Sequence, residues 1–327
     1  IILREGMEIG IIGGAGYIGS HVVLEALERG HEVTVFDDLS TGSKKNIQKN
    51  THFIHGSTLS LSNLDEMFNY KKYDAIIHLA ASKAAGESMN NPIKYSRNNI
   101  IGGLNLIESC IGNDVKIFIF SSSAAVYGEP KYIPIDELHS LDPSNYYGYT
   151  KLCLERNLAW MSKLSLIKYG SLRYFNAAGF DIKNRIKQLE KNPQNLIPII
   201  METAAGLRPE VEIYGNKFNT SDGTGIRDYI HVGDLAKAHL DTVDFIKNEQ
   251  KNVTINLGTS HGYSVLDVLK QASKIINKNI KYRFVNHRKG DPGIVISECS
   301  LAKKLIGWDP KYSNLNTIIS STWELYK

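Results

Sequence analysis

Between Glu8 and Asp37 the chain reads as strand, glycine loop, helix, strand, and that order leaves few folds open. Glu8 to Ile12 is a short β-rich apolar run that ends at Gly13-Gly14-Ala15-Gly16-Tyr17-Ile18-Gly19. A helical pattern follows through Val22, Val23, Ala26 and Leu27 to Gly30, and a second strand, Glu32 to Phe36, stops at Asp37. The glycines permit a tight turn and close backbone approach, so the pyrophosphate of a dinucleotide can sit on the helix N-terminus. Tyr17 and Ile18 belong to the loop backbone that faces it. Asp37 lies 18 residues past Gly19. A carboxylate there can accept both hydroxyls of the adenosine ribose and repels a 2′-phosphate, which favours NAD over NADP.

The alternation continues. His52 to His55, Ala75 to His78 and Lys116 to Ser121 read as buried parallel strands, separated by helical stretches such as Leu61 to Asn69 and Pro92 to Cys110. Six or seven such strands make an α/β fold with a doubly wound parallel sheet of the Rossmann type, whose ligands sit at the carboxyl ends of the strands. After Arg173 the rhythm loosens. Asp181 to Asn195 is charged and read as a loop or short helix, Ile197 to Leu207 as a helix, Glu212 to Tyr214 as a short strand, and Val232 to Ile246 as a helix able to pack back on the first domain. Residues 1–175 are therefore expected to form the NAD-binding domain, and residues 176–327 a smaller substrate lobe, partly interleaved with it.

A chain of 327 residues with 42% apolar content supports a real core. Its net charge of +4 is too diffuse for a nucleic-acid surface. Cys110, Cys153 and Cys299 are far apart, odd in number and without metal-ligand spacing, which points to a reducing cytosol, no disulfide framework and no metal. No apolar run reaches the roughly 18 residues of a membrane helix. Met7, just before the first strand, is read as the natural start, with Ile1 to Gly6 as an extension.

Polar clusters fall where the strands end. Leu79-Ala80-Ala81-Ser82-Lys83 follows one strand and Ser121-Ser122-Ser123-Ala124-Ala125-Val126-Tyr127-Gly128 another. Ser121 and Ser122 read as strand-end caps, and Ser123 becomes more if the sheet places it opposite Tyr147. Tyr147 and Lys151 share one helical face at a spacing of four. A free phenol titrates near pH 10, and a neighbouring cation is the simplest way to make it a base at neutral pH.

The glycine loop, the Ser123 segment and the Tyr147/Lys151 pair resemble the extended short-chain dehydrogenase/reductase family. Arg173-Tyr174-Phe175-Asn176, the run from Asp222 to Val232, and Arg288-Lys289-Gly290-Asp291 narrow the likeness to its UDP-hexose 4-epimerase branch, in order from about Glu8 to about Tyr312. The resemblance implies 4-epimerisation of UDP-glucose and UDP-galactose, with the N-acetylated UDP-hexoses as a further substrate class. Tyr147, directly or through Ser123, would take the proton of the 4-hydroxyl while carbon 4 passes a hydride to NAD. A 4-keto sugar would result, turn over, and take the same hydride back. Lys151 would hold the nicotinamide ribose and, together with the positive nicotinamide, lower the phenol's pKa.

By the same resemblance Gly13, Gly16, Tyr17, Ile18, Gly19, Asp37, Asp38, Leu39, Ser40, Thr41 and Gly42 would line the adenosine half of the cofactor. Ser57, Thr58, Leu79, Ala80, Ala81, Lys83, Asn98, Ser121, Tyr174 and Phe175 would complete the cofactor site. Asn176, Asn195, Leu196, Tyr214, Arg227, Arg288 and Asp291, with Lys83, would hold the UDP-sugar, the arginines gripping its diphosphate. Family members pair through the two helices here spanning Pro92 to Cys110 and Tyr146 to Lys163, which implies a homodimer.

Two departures stand out. Gly56-Ser57-Thr58 replaces the family's Gly-Asp at the adenine, a weaker acceptor. Val295 stands where relatives carry a residue that limits room around the sugar, which suggests space for an N-acetyl group. Two other readings remain at this stage. A nucleotide-sugar 4,6-dehydratase would need a proton-transferring pair where Ala124 and Ala125 stand. A non-catalytic NAD-binding sensor would keep the fold without needing Ser123, Tyr147 and Lys151 together.

Overall fold

The computed structural model describes residues 6–190, 193–288 and 290–327. Ile1 to Glu5 of the N-terminal extension, Lys191 and Asn192 of the charged tract, and Lys289 lie outside the described residues.

Seven parallel strands form the central sheet: β1 (Glu8–Ile12), β2 (Glu32–Asp37), β3 (His52–His55), β4 (Ala75–His78), β5 (Ile117–Ser123), β6 (Lys168–Tyr174) and β7 (Val253–Leu257). Their order is β7-β6-β5-β4-β1-β2-β3, all pairs parallel. The order reverses between β1 and β4. That switch point opens a crevice at the strands' carboxyl ends, where the loops after β1 and β4 diverge.

Helices cover both faces. On one lie α1 (Tyr17–Glu28) and α6 (Val232–Glu249), whose Val22, Val23, Leu235 and Val243 share a core with Ile9, Ile11, Ile77 and Ile119. Arg29, just past α1, ties the pair together through Asp241 at 2.8 Å and Asp244 at 3.3 Å. On the other lie α2 (Leu61–Tyr70), α3 (Gly102–Gly112) and α4 (Tyr146–Lys163), packing Leu64, Met67, Leu106 and Leu158 against Ile12, Ile76, Phe118 and Phe120. Alternation along β5 thus sends Ile119 to one core and Phe118 and Phe120 to the other, as a strand buried on both faces requires.

The C-terminal part of the chain has its own core, in which α5 (Leu196–Ala204), α7 (Val265–Ile276) and α8 (Leu315–Trp323) pack Ile200, Met201, Leu269 and Ile318 together. Helix α5 stops at Ala204 and not at Leu207, because Gly206 takes a left-handed φ of +79° that the helix cannot continue through. The described part of the Asp181 to Asn195 tract contains no helix. Small strands stitch the lobe together. Ile226–Arg227 pairs with Tyr263–Ser264 and Ile294–Val295, while Tyr229–His231 pairs with Asn176–Ala178. After this lobe has begun, the chain returns α6 and β7 to the first domain. Among the described residues no helix is long and apolar enough to cross a membrane.

Candidate active site

The glycine loop is built for close approach. Gly13 has φ +84°, and a Cβ there would lie 2.7 Å from the Ala80 nitrogen, so this turn and the Leu79-Ala80-Ala81 turn are nearly in contact. Leu79 and Ala80 both donate to the Ile12 carbonyl, at 2.9 and 3.0 Å. A Cβ at Gly19 would fall 2.0 Å from the Gly13 carbonyl oxygen, which is why α1 can lie so near the loop. Gly19→Ala is expected to lower unfolding free energy by about 2 kcal/mol, read by urea titration, and to weaken NAD retention.

The N-cap of α1 is Gly16, with no side-chain cap and no acid in the first turn. Its N-terminal N–H groups are therefore available to an anion. Asp37, at the tip of β2, is buried; its carboxylate accepts from the Leu39 amide at 2.8 Å and the Ala15 amide at 3.0 Å. Burial nevertheless holds its carboxyl above the ordinary range. Asp38, Leu39, Ser40, Thr41 and Gly42 wrap this corner. Leu39 is left-handed at φ +59°, and Asp38 accepts from both the amide and the hydroxyl of Ser40. A small loop glycine, an uncapped helix start and an acid at the second strand fit a dinucleotide's pyrophosphate and ribose. The two hydroxyls at the adenine position divide: Ser57 is half-buried and accepts from the Leu59 amide at 3.3 Å, while Thr58 is buried with its hydroxyl against Gly102.

Across the crevice, β5 ends in Ser123 beside the start of α4. Asn145 caps that helix, accepting from the Gly148 amide at 2.9 Å. Gly148 has a reason to be glycine, since a Cβ would approach the Ala125 carbonyl oxygen to 2.3 Å. The helix can therefore press on the strand-end turn and bring the Tyr147 phenol close to Ser123, near enough for the serine to affect its titration. The backbone of Tyr147 is pinned as well, its amide donating to Ser88 Oγ at 3.0 Å and its carbonyl accepting from Thr150 at 2.7 Å. Asn99 locks the neighbouring loop to the same helix, donating to Thr150 Oγ1 at 3.0 Å and to the Ser82 carbonyl at 3.0 Å and accepting from the Ser82 amide at 2.8 Å. It sits with Asn98, which donates to Ser82 Oγ at 3.0 Å, on a π-helical turn, Ser96–Ile101. A widened turn at a site edge is a frequent functional feature. Asn99 and Gly148 have no signal in the chain by themselves.

Lys151 is held by the end of β5. Its ammonium donates to the Ser121 carbonyl at 2.6 Å and lies 5.8 Å from the centre of the Tyr147 ring, with the Phe120 ring 4.9 Å away. With the protein groups alone, burial pushes the Tyr147 phenol up to about 12, and the Ser123 hydrogen bond is what pulls against it. Burial also pulls Lys151 down to about 7, opposed by the Glu155 carboxylate. The lysine does not by itself make the phenol acidic, because it is desolvated too and its donor is turned to a backbone carbonyl. Ser121 and Ser122 are more than caps: Ser121 bonds the Tyr174 hydroxyl through its own, and Ser122 donates to Glu155 at 2.5 Å. Phe175 is buried in a small cluster with Val126, Tyr127 and Leu152.

The substrate-lobe candidates reach the same region. The Ser144 hydroxyl, just before α4, donates to the Gly290 carbonyl at 3.4 Å, joining the Arg288–Asp291 loop to the start of the catalytic helix. Arg227 pairs with Asp291, and the Arg288 guanidinium stacks 3.5 Å above the Tyr214 ring. The residues expected at the diphosphate, uracil and ribose thus contact each other in two pairs. Asn176 donates to the Asp228 carbonyl at 3.0 Å beside Arg227. Asn195 lines a cavity of about 20 Å³ with Tyr17 and Glu190, and Glu190 also holds Lys83. Leu196 instead packs against the lobe's apolar core.

A pyrophosphate-binding loop at a sheet's switch point, with Tyr147, Lys151 and Ser123 on the facing rim, defines a nucleotide-dependent enzyme of the Rossmann class. Residues 9–258 match the NAD dependent epimerase/dehydratase family, and the chain belongs to that family. It is similar to a UDP-glucose 4-epimerase of Halalkalibacterium halodurans, 40% identical over 98% of this chain and 96% of the other. The fold is similar to the crystal structure of UDP-glucose 4-epimerase from Brucella ovis in complex with NAD, with TM-score 0.95, 37% identity and 98% of each chain covered. It is similar as well to the UDP-Glc/GlcNAc 4-epimerase of Campylobacter jejuni, with TM-score 0.86 and 39% identity over 98% of this chain and 99% of that one.

Proposed function

We propose that this protein interconverts the 4-epimers of a UDP-hexose, UDP-glucose with UDP-galactose, and accepts the N-acetylated pair. The observation that carries this reading is the Tyr147 phenol set by Ser123 at the crevice, where the serine hydroxyl works against the burial that raises the phenol's pKa, with Lys151 buried one turn behind it. NAD, when bound, supplies an acceptor for the hydride of carbon 4 and returns it to the other face. Tyr147 receives the 4-hydroxyl proton, with Ser123 as hydrogen-bond partner and relay, and gives it back in the second half of the cycle. Arg227 and Arg288 leave Asp291 and Tyr214 to clamp the diphosphate, a bidentate task suited to a guanidinium. Asn176, Asn195 and Tyr214 border the sugar and uracil, Asp291 the ribose, and Lys83 the nicotinamide end.

Elimination of water is disfavoured by chemistry, because Ala124 and Ala125 follow Ser123 and neither can transfer a proton. A sensor without turnover would have no use for a buried lysine and phenol at the crevice. The protein acts in the reducing cytosol, where its three free thiols persist. It works as a homodimer through the exposed Ile93, Ile101, Tyr149 and Trp160 on the helical stretches that flank the crevice.

Incubation with UDP-galactose tests the reading: UDP-glucose should form with no net reduction of NAD, and absence of product overturns it. Val295 sits partly buried beside Ala124 and Phe175. Val295→Tyr should cut turnover of UDP-GlcNAc at least about tenfold while UDP-glucose keeps its rate within about threefold, in proportion to the lost room. Wild-type protein inert on the acetylated sugar would remove that part of the proposal.

A further inference from the structure

Beneath Ser123 lies a buried charged row that the reaction as drawn does not use. Glu155 follows Lys151 by one turn of α4, and with Arg173 of β6 it forms an ion pair whose side chains are 7% and 6% exposed. Glu155 Oε1 accepts from Arg173 Nε at 2.9 Å and from the Ser122 hydroxyl at 2.5 Å, while Oε2 accepts from Arg173 Nη2 at 2.6 Å. The second guanidinium nitrogen, Nη1, donates to the Tyr127 hydroxyl at 3.1 Å, which donates to Asn256 Oδ1 at 2.6 Å. Ser122, Arg173 and Asn256 are register partners on the adjacent strands β5, β6 and β7. The row therefore fastens α4 to the ends of three strands.

What it fastens is the catalytic geometry. Ser122 stands between Ser121, whose carbonyl accepts from Lys151, and Ser123, whose side chain lies by Tyr147. A buried ion pair is weak evidence for stability alone, since a well-packed apolar pair often serves as well. The groups facing Lys151 are few. From its own helix come Glu155 and Tyr147, from β4 the neutral His78, and from β5 the Phe120 ring and Ser121 carbonyl; Tyr174 and Arg173 of β6 lie behind these. Glu155 is the carboxylate among them.

We propose that Glu155 is a positioning residue for the proposed epimerisation: anchored by Arg173, it holds the Ser121 to Ser123 strand end against α4 and places a carboxylate one turn from Lys151 that opposes loss of the lysine's proton. The inference rests on the epimerase reading for its kinetic readout, and on Lys151 alone for its spectroscopic one.

The test compares wild type, Glu155→Gln, Glu155→Asp and the double variant Glu155→Gln/Arg173→Met, all as full-length protein with NAD bound. Two quantities are read: kcat and KM for UDP-galactose against pH, and the titration of Lys151 by NMR of 13C-labelled lysine, its signal assigned by loss in Lys151→Met. In Glu155→Gln the Lys151 midpoint should fall by about one pH unit, with the alkaline limb of kcat moving down alongside it. At neutral pH kcat should drop at least about tenfold while KM stays within about twofold. Glu155→Asp, which keeps the charge, should leave the midpoint in place. If the single neutral variant does not fold, the double variant is read instead, because it leaves no unpaired buried charge, and its midpoint should fall by at least about half a unit. An unmoved Lys151 midpoint in the folded neutral variant overturns the proposal. So does a KM change with kcat preserved. Should wild type show no epimerase turnover, the midpoint comparison still decides the role of Glu155, and the failure belongs to the activity reading.

Discussion

Tyr147→Phe should reduce turnover of UDP-galactose by about a thousandfold while NAD stays bound and KM changes little. The substitution removes one oxygen from a side chain whose backbone is held independently, by the Tyr147 amide on Ser88 and the Tyr147 carbonyl under Thr150. The helix start and its Asn145 cap are untouched, so loss of rate without loss of fold is the signature of a proton-transfer group. Ser123 keeps its own bond in the variant, accepting from the Ala125 amide at 3.1 Å, and stays in place. Steady-state kinetics with a measured NAD content checks this. A variant retaining more than about a tenth of the wild-type kcat would mean that another group takes the proton.

Lys151→Met should separate stability from activity. Burial drives the folded Lys151 ammonium to lose its proton near pH 7, against 10.5 for an ordinary lysine. Between those values the unfolded chain binds the more protons, so wild-type stability rises with pH across the interval and the penalty is fully present below about 7. Methionine of similar length removes that penalty, which is worth a few kcal/mol at about 1.36 kcal/mol per pKa unit. The variant should melt higher than wild type at pH 6, and its advantage should shrink toward pH 10. Turnover should nonetheless fall by about a hundredfold or more, since the ammonium that the resemblance places at the nicotinamide ribose is gone. Thermal melts at the two pH values, set beside kcat, check both halves; a variant less stable than wild type at pH 6 would show that the Ser121 contact outweighs the desolvated charge.

Much of this was legible in the chain, and the exceptions have a common cause. The strands β1 to β5 and the glycine loop follow from local signals: apolar runs of four to seven residues, glycines at a turn, an acid after β2. Helical spacing puts Tyr147 and Lys151 on one face, but it is the company of the other motifs that singles the pair out. What could not be read were partners far apart in sequence. Ser122 and Glu155 are separated by 33 positions, Tyr127 and Asn256 by 129, and neither pair carries a periodic pattern. The bond from Lys151 to the Ser121 carbonyl was not readable either, because spacing fixes only which face a side chain occupies and not which neighbour its flexible tip selects. The close approach of Gly148 to Ala125 is likewise a property of two packed elements, invisible until both are placed. In the substrate lobe, the pairing of Arg227 with Asp291 and of Arg288 with Tyr214 depends on loops whose register no hydrophobic pattern dictates.

The return of α6 and β7 to the first domain has a practical meaning. A fragment ending near residue 175 would lack the sheet's edge strand and the helix that shields Val22 and Val23, leaving apolar surface and unpaired backbone exposed to water. Such a piece should precipitate when expressed alone. Exchanging whole lobes between relatives to alter sugar preference therefore requires two crossover points around the returning segment, not a single cut.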